Sequence, residues 1–130
     1  MEQTPDIARA AFLKTRDEID QDHALYPINQ EWVVKIGDKE VKCRAVRNFS
    51  WCGYVELDGK IIDNDDDLDV HGGVTYHSPG VSIGFDCAHY NDVNFKMTFY
   101  NPKARYWSFP MVKAETERLA RQIFAFSAPR

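Results

Sequence analysis

The chain has 130 residues, of which 44% are hydrophobic and 28% charged, and its formal net charge is −4. This is the composition of one globular domain spanning 1–130 rather than of a disordered chain, and the acidic balance excludes a generic basic nucleic-acid binder. No apolar run approaches the ~20 residues a bilayer span requires, so no membrane association is expected.

Thr4-Pro5-Asp6 reads as a helix start, with a capping oxygen, a proline at the first helical position and an acid at the positive end of the dipole. Ala8, Ala11, Phe12, Thr15 and Ile19 follow at spacings of three and four, predicting a helix near 5–22 that Tyr26-Pro27 ends. Trp32 to Ile36 and Glu40 to Val46 form a hairpin around Gly37-Asp38, and Ser50 to Leu57 is a third strand before the turn dipeptide Asp58-Gly59. Asp69 to His77 and Val81 to His89 read as two further strands, and Phe95 to Tyr100 as another. Ser108 and Pro110 open a last helix whose stripe is Val112, Thr116, Leu119 and Ile123. The expected fold class is therefore α+β, a mainly antiparallel sheet flanked by an N-terminal and a C-terminal helix.

The start of the chain, Met1 to Asp6, lacks a basic region followed by an apolar stretch, so a secretory leader is not expected. Cys43, Cys52 and Cys87 form neither a disulfide framework nor a C-x-x-C pair, which fits reduced thiols in a cytosol. Charge is unevenly spread. Residues 61–100 carry one Lys against seven Asp, a net of −6, and residues 101–130 carry six basic residues against two Glu, a net of +4. Such segregation predicts either a self-complementary fold or subunit contact, hence a homo-oligomer, or a basic surface for an anionic ligand. Asp63 to Asp69 does not meet the EF-hand pattern in either register, because Leu68 or Val70 stands where glycine is needed, so a solvated acidic loop is expected.

The stretch 69–92 holds three of the four histidines, one cysteine and several glycines. Its chemistry depends on hairpin register. A loop of Ser78-Pro79-Gly80 places His77 opposite Val81 and His71 opposite Cys87, a pair able to form a nucleophile or hold a metal. A loop of Pro79-Gly80 instead puts Val74 and Tyr76 on one apolar face with Ile83, Phe85 and Cys87. It leaves His71, Thr75, His77 and Asp86 on a polar face between small residues, with His71 and Asp86 as diagonal neighbours. The second register separates the faces cleanly and is preferred, although Pro-Gly is not the favoured two-residue loop.

Three functional readings follow. In the first, His71, Thr75, His77, Asp86, His89 and Asp92 bind a small polar, nucleotide-type ligand, with imidazolium and basic side chains meeting phosphate. In the second, His71, Cys87 and His89 are catalytic residues of a Cys/His or metal-assisted hydrolase, and the same three are the candidate zinc ligands. In the third, the chain is an interaction module that blocks another protein. The aromatic residues Trp51, Tyr54, Tyr76, Tyr90, Tyr100, Tyr106 and Trp107 exceed what a small core obviously needs, and such rings stack on bases or fill interfaces.

His71-Gly72-Gly73-Val74-Thr75-Tyr76, followed by Gly84-Phe85-Asp86-Cys87-Ala88-His89 and Asp92, resembles a family of small, mostly uncharacterised phage and prophage proteins. Trp51-Cys52-Gly53-Tyr54-Val55 matches that family's earlier strand, and Val112, Ala114, Glu115, Leu119, Ala120 and Gln122 match its closing helix. The resemblance covers about 50–124 and leaves the N-terminal helix and hairpin, 1–49, outside; Asn91 departs from the family's usual glycine. It implies a protein acting in a host cytosol against host defence or metabolism, with a host protein as the partner in the third reading, and brings no established activity.

Overall fold

The computed structural model describes residues 5–48, 50–88 and 105–125, with side chains from Leu13 onward. The polar–apolar alternation read from the sequence becomes three adjacent strands, β1 (Asn29–Ile36), β2 (Lys39–Arg47) and β3 (Trp51–Glu56). Two shorter strands, β4 (Tyr76–Ser78) and β5 (Ser82–Asp86), complete an antiparallel sheet in the order β1-β2-β3-β5-β4. Helix α1 (Pro5–Leu25) precedes the sheet and helix α2 (Phe109–Ala125) closes the fold, so the α+β architecture is as expected. The Phe95–Tyr100 strand expectation lies outside the described residues. Among the described residues no helix is long and apolar enough to cross a membrane.

One face of the sheet is the core. Val41, Cys43, Ala45, Val55, Ile83 and Phe85 bury there against Val112, Thr116, Leu119 and Ile123 of α2, the stripe anticipated from spacing. Contact is closest at Gly53, where an added Cβ would fall 2.2 Å from Thr116 Oγ1 and 2.7 Å from Phe85 Cε1. Glycine is required there because the helix sits directly on β3.

Helix α2 starts on an acid supplied from α1. The buried carboxylate of Asp22 accepts the Phe109 backbone N–H at 3.1 Å, the Trp51 indole N–H at 2.8 Å and the Tyr106 hydroxyl. Ser108, expected to cap α2, contributes its carbonyl to the Val112 amide at 3.0 Å, while the cap anion is Asp22. Helix α1 accordingly runs past the expected end at 22 to Leu25, with the Tyr26 amide bonded back to the Asp22 carbonyl.

The crossover from β3 to β4 is mostly irregular. Of the expected strand 69–77 only Tyr76 and His77 are in a strand, as part of β4. Gly73 turns back onto the Val70 carbonyl at 2.8 Å, and the Asp69 backbone is engaged by α2 rather than by a strand. Gln122 both accepts from the Asp69 amide at 2.8 Å and donates to its carbonyl at 2.6 Å. Glu115 takes the His71 amide at 2.7 Å, and Arg118 joins Glu115 to Asp69. The acidic and basic segments therefore meet within the chain at Asp69–Arg118. The Arg118 guanidinium, hydrogen-bonded to Glu115, holds that carboxyl below its ordinary range.

Neither anticipated hairpin register occurs. The observed pairs are Tyr76–Gly84, His77–Ile83 and Ser78–Ser82, with Pro79-Gly80-Val81 as the loop. Proline presets the corner, and the Val81 amide closes it onto the Ser78 carbonyl. The Gly80 and Val81 carbonyls are then taken by the amides of Gly59 and Leu57. Val81 is thereby drawn out of the β4–β5 ladder, which moves the pairing on by one residue. As a result Tyr76 lies on the outer face, not with Ile83 and Phe85.

Two predictions follow from the Asp22 junction. Asp22→Ala leaves three donors without an acceptor, and at ~1–3 kcal/mol for each such group the variant should lose at least about 3 kcal/mol in urea unfolding, with Asp22→Asn losing less. A wild-type midpoint for Asp22→Ala would contradict the junction. Burial, and then the bond to Asp22, holds the Tyr106 phenol well above its ordinary value. The unfolded chain releases that proton near pH ~10 and the folded chain retains it, so this contribution is complete below ~10 and is lost as pH rises above it. Tyr106→Phe should make the alkaline fall in stability shallower.

Candidate functional site

Among the described residues the expected ligand-binding set is divided between the two faces of the sheet. His77 faces the core side beside Ile83, whereas Asp86 shares the outer side with Gly84. The His71 ring packs on Trp107 with centroids 4.0 Å apart, and its amide is bound by Glu115. Thr75 is exposed, and its amide donates to the Gly84 carbonyl at 3.0 Å. Asp86 turns its Oδ1 onto the Ala88 amide at 3.1 Å, a local loop bond. His89 and Asp92 lie outside the described residues, as do Tyr90 and Tyr100.

Cys87 is 1% exposed within the core. Among the described residues no group of three or more His, Cys, Asp or Glu side chains is arranged to hold a metal ion. Burial pushes the Cys43 thiol up to about 12 and raises Cys52 as well, with Asp86 adding to the latter. None of the three cysteines is in a disulfide.

Among the described residues a histidine–carboxylate pair does form, with a different acid from the one expected. His77 Nδ1 lies 3.0 Å from Asp65 Oδ2. Asp65 opens the 3-10 turn Asp65–Asp67, which Asn64 caps through the Asp66 amide, and it brings part of the acidic loop onto β4. The other ring nitrogen, His77 Nε2, is buried and has no hydrogen-bond partner.

The outer face of the sheet carries a continuous row that sequence reading did not assemble. Glu31, Arg44, Tyr54, Gly84 and Tyr76 are successive cross-strand neighbours from β1 to β4. The Arg44 guanidinium lies 4.5 Å from the Tyr54 ring centroid, and the Tyr54 and Tyr76 rings meet edge to face at 5.6 Å. Gly84 makes this possible, since a Cβ there would fall 2.6 Å from Tyr54 Cδ1. Tyr76 remains 46% exposed.

Beside this row, toward β1, is a hollow of about 330 Å³ lined by Glu31, Trp32, Val33, Lys42, Arg44 and Glu56. Its charges are balanced in sign. Arg44 has a buried Nε–H with no hydrogen-bond partner, 4.0 Å from Glu56 Oε1, whereas the Trp32 indole lies on the core side of the sheet, edge-on to Phe109 at 5.7 Å. A hollow of similar size between the helices is floored by Asp22, whose acceptor capacity the Trp51, Tyr106 and Phe109 donors already engage. Nothing matches the chain among family models, curated proteins or solved structures.

With all three thiols buried, the native protein at mildly alkaline pH should resist a thiol reagent that labels every cysteine after denaturation. Rapid native labelling of Cys87, located by peptide mapping, would contradict this and restore that sulfur as a nucleophile.

Proposed function

We propose that this protein is a binding module that holds a small, flat, polar ligand of nucleotide type on the outer face of its sheet. The carrying observation is the Arg44–Tyr54–Tyr76 row beside a hollow that Arg44 also lines, with its buried Nε–H lacking a hydrogen-bond partner. Tyrosine rings stack on any base, at ~1–3 kcal/mol per base, and a guanidinium matches a phosphate oxygen pair. The balanced charge of the hollow favours a ligand with few charges, a nucleoside monophosphate over a triphosphate. Sequestration needs no nucleophile, which agrees with a cysteine set buried in the fold. The resemblance of 50–124 to phage and prophage proteins supplies the setting, a host cytosol in which removing a nucleotide signal interferes with defence or metabolism.

A second reading, a hydrolase, is favoured by the His77–Asp65 pair, since an imidazole held by a carboxylate is a common general base and the buried His77 Nε2 has no hydrogen-bond partner. The two readings separate by product: turnover of a nucleotide that His77→Ala abolishes would establish the enzyme.

Calorimetric titration with the common nucleoside monophosphates should show saturable binding. Tyr76→Ala and Arg44→Ala should each weaken it by roughly tenfold while the protein stays folded. Unchanged affinity in both variants would remove the outer face as the site.

A further inference from the structure

The sheet has two edges of different character. At one end β4 has three residues and is buttressed by the His77–Asp65 pair. At the other, β1 has eight residues, and among the described residues no strand pairs with its far side. A long open edge presents a row of unpaired backbone groups, which a second strand can satisfy.

The direction of those groups follows from one hydrogen bond. The Arg47 amide donates to the Ile28 carbonyl, so the backbone of position 28 points toward β2. By the alternation of an antiparallel ladder, Asn29, Glu31, Val33 and Lys35 present their N–H and C=O groups to the open edge. We propose that a second copy of this chain pairs here, β1 against β1 in antiparallel fashion about a two-fold axis at Val33.

That register is selected by charge. Pairing Val33 with the partner's Val33 sets Glu31 opposite the partner's Lys35, and Lys35 opposite the partner's Glu31. Within one chain Lys35 already faces Glu40, and Glu31 faces Arg44. The row crossing the axis therefore reads Glu40, Lys35, then the partner's Glu31 and the partner's Arg44, alternating in sign throughout. Among the described residues neither Glu31 nor Lys35 has an ion-pair partner of its own within the chain. Val33, 52% exposed, would be covered by its own copy at the axis. On the core side Trp32 would meet the partner's Val34. Moving the register by two residues in either direction places Val33 opposite a charged side chain. The interface is isologous, so it closes as a dimer and joins two sheets into one.

Sedimentation velocity on the full chain, from low to high micromolar concentration, should show a monomer–dimer equilibrium. Val33→Pro removes an outward N–H without touching the β1–β2 ladder and should give a folded monomer. Glu31→Lys and Lys35→Glu should each weaken the dimer by roughly tenfold, because like charges then face each other twice, and the combined variant should recover it. A wild-type protein monomeric throughout, a folded Val33→Pro dimer, or a combined variant as weak as the single ones would overturn the proposal. If Val33→Pro does not fold, the charge exchange alone decides.

Discussion

Donors from three separate parts of the chain end on the carboxylate of Asp22: the Trp51 indole from β3, the Tyr106 hydroxyl, and the first amide of α2. Burying a carboxylate costs several kcal/mol, of order what a single good partner returns, so the junction persists only with its donors in place. It fixes where α2 begins relative to α1 and β3. Once that point is set, the stripe from Val112 to Ile123 lies along the sheet, and the helix comes close enough at Thr116 to demand glycine at position 53.

The same junction decides which face of the sheet remains for other uses. With α2 on the core side, and the crossover loop held to it by Gln122, Glu115 and Arg118, the other side keeps polar and aromatic groups in register. Glycine recurs there for the opposite purpose. At position 53 it admits a helix, and at position 84 it admits the Tyr54 ring, which then reaches Tyr76. A packed core and an aromatic platform are thus two consequences of side-chain alternation along β3 and β5.

Much of this was legible in the sequence wherever the signal was periodic. The alternation around Val41, Cys43 and Ala45, the third strand from Trp51, and the helical stripe from Val112 all lie where spacing put them. Register was not legible, because it turns on Val81, whose carbonyl is drawn aside by Leu57 from a distant turn. That small shift sent Tyr76 to the outer face and separated His77 from Asp86. The partner of His77 was hidden for a related reason: Asp65 sits in an acidic run that reads as solvent-facing, and only the folded loop singles it out. Asp22 was missed because nothing local distinguishes it from neighbouring helix-surface acids, its three donors lying 29, 84 and 87 residues away.

The central claim is that the outer face, rather than the 71–77 loop, is the binding surface. Its most direct test is a titration of isotopically labelled protein with nucleoside monophosphates, followed by amide and side-chain NMR shifts. The account predicts saturable changes centred on Arg44, Tyr54, Gly84 and Tyr76, with Arg44 Nε–H moving as it gains an acceptor. Changes confined to His71, Trp107 and the loop around Gly72, with those four residues still, would contradict it.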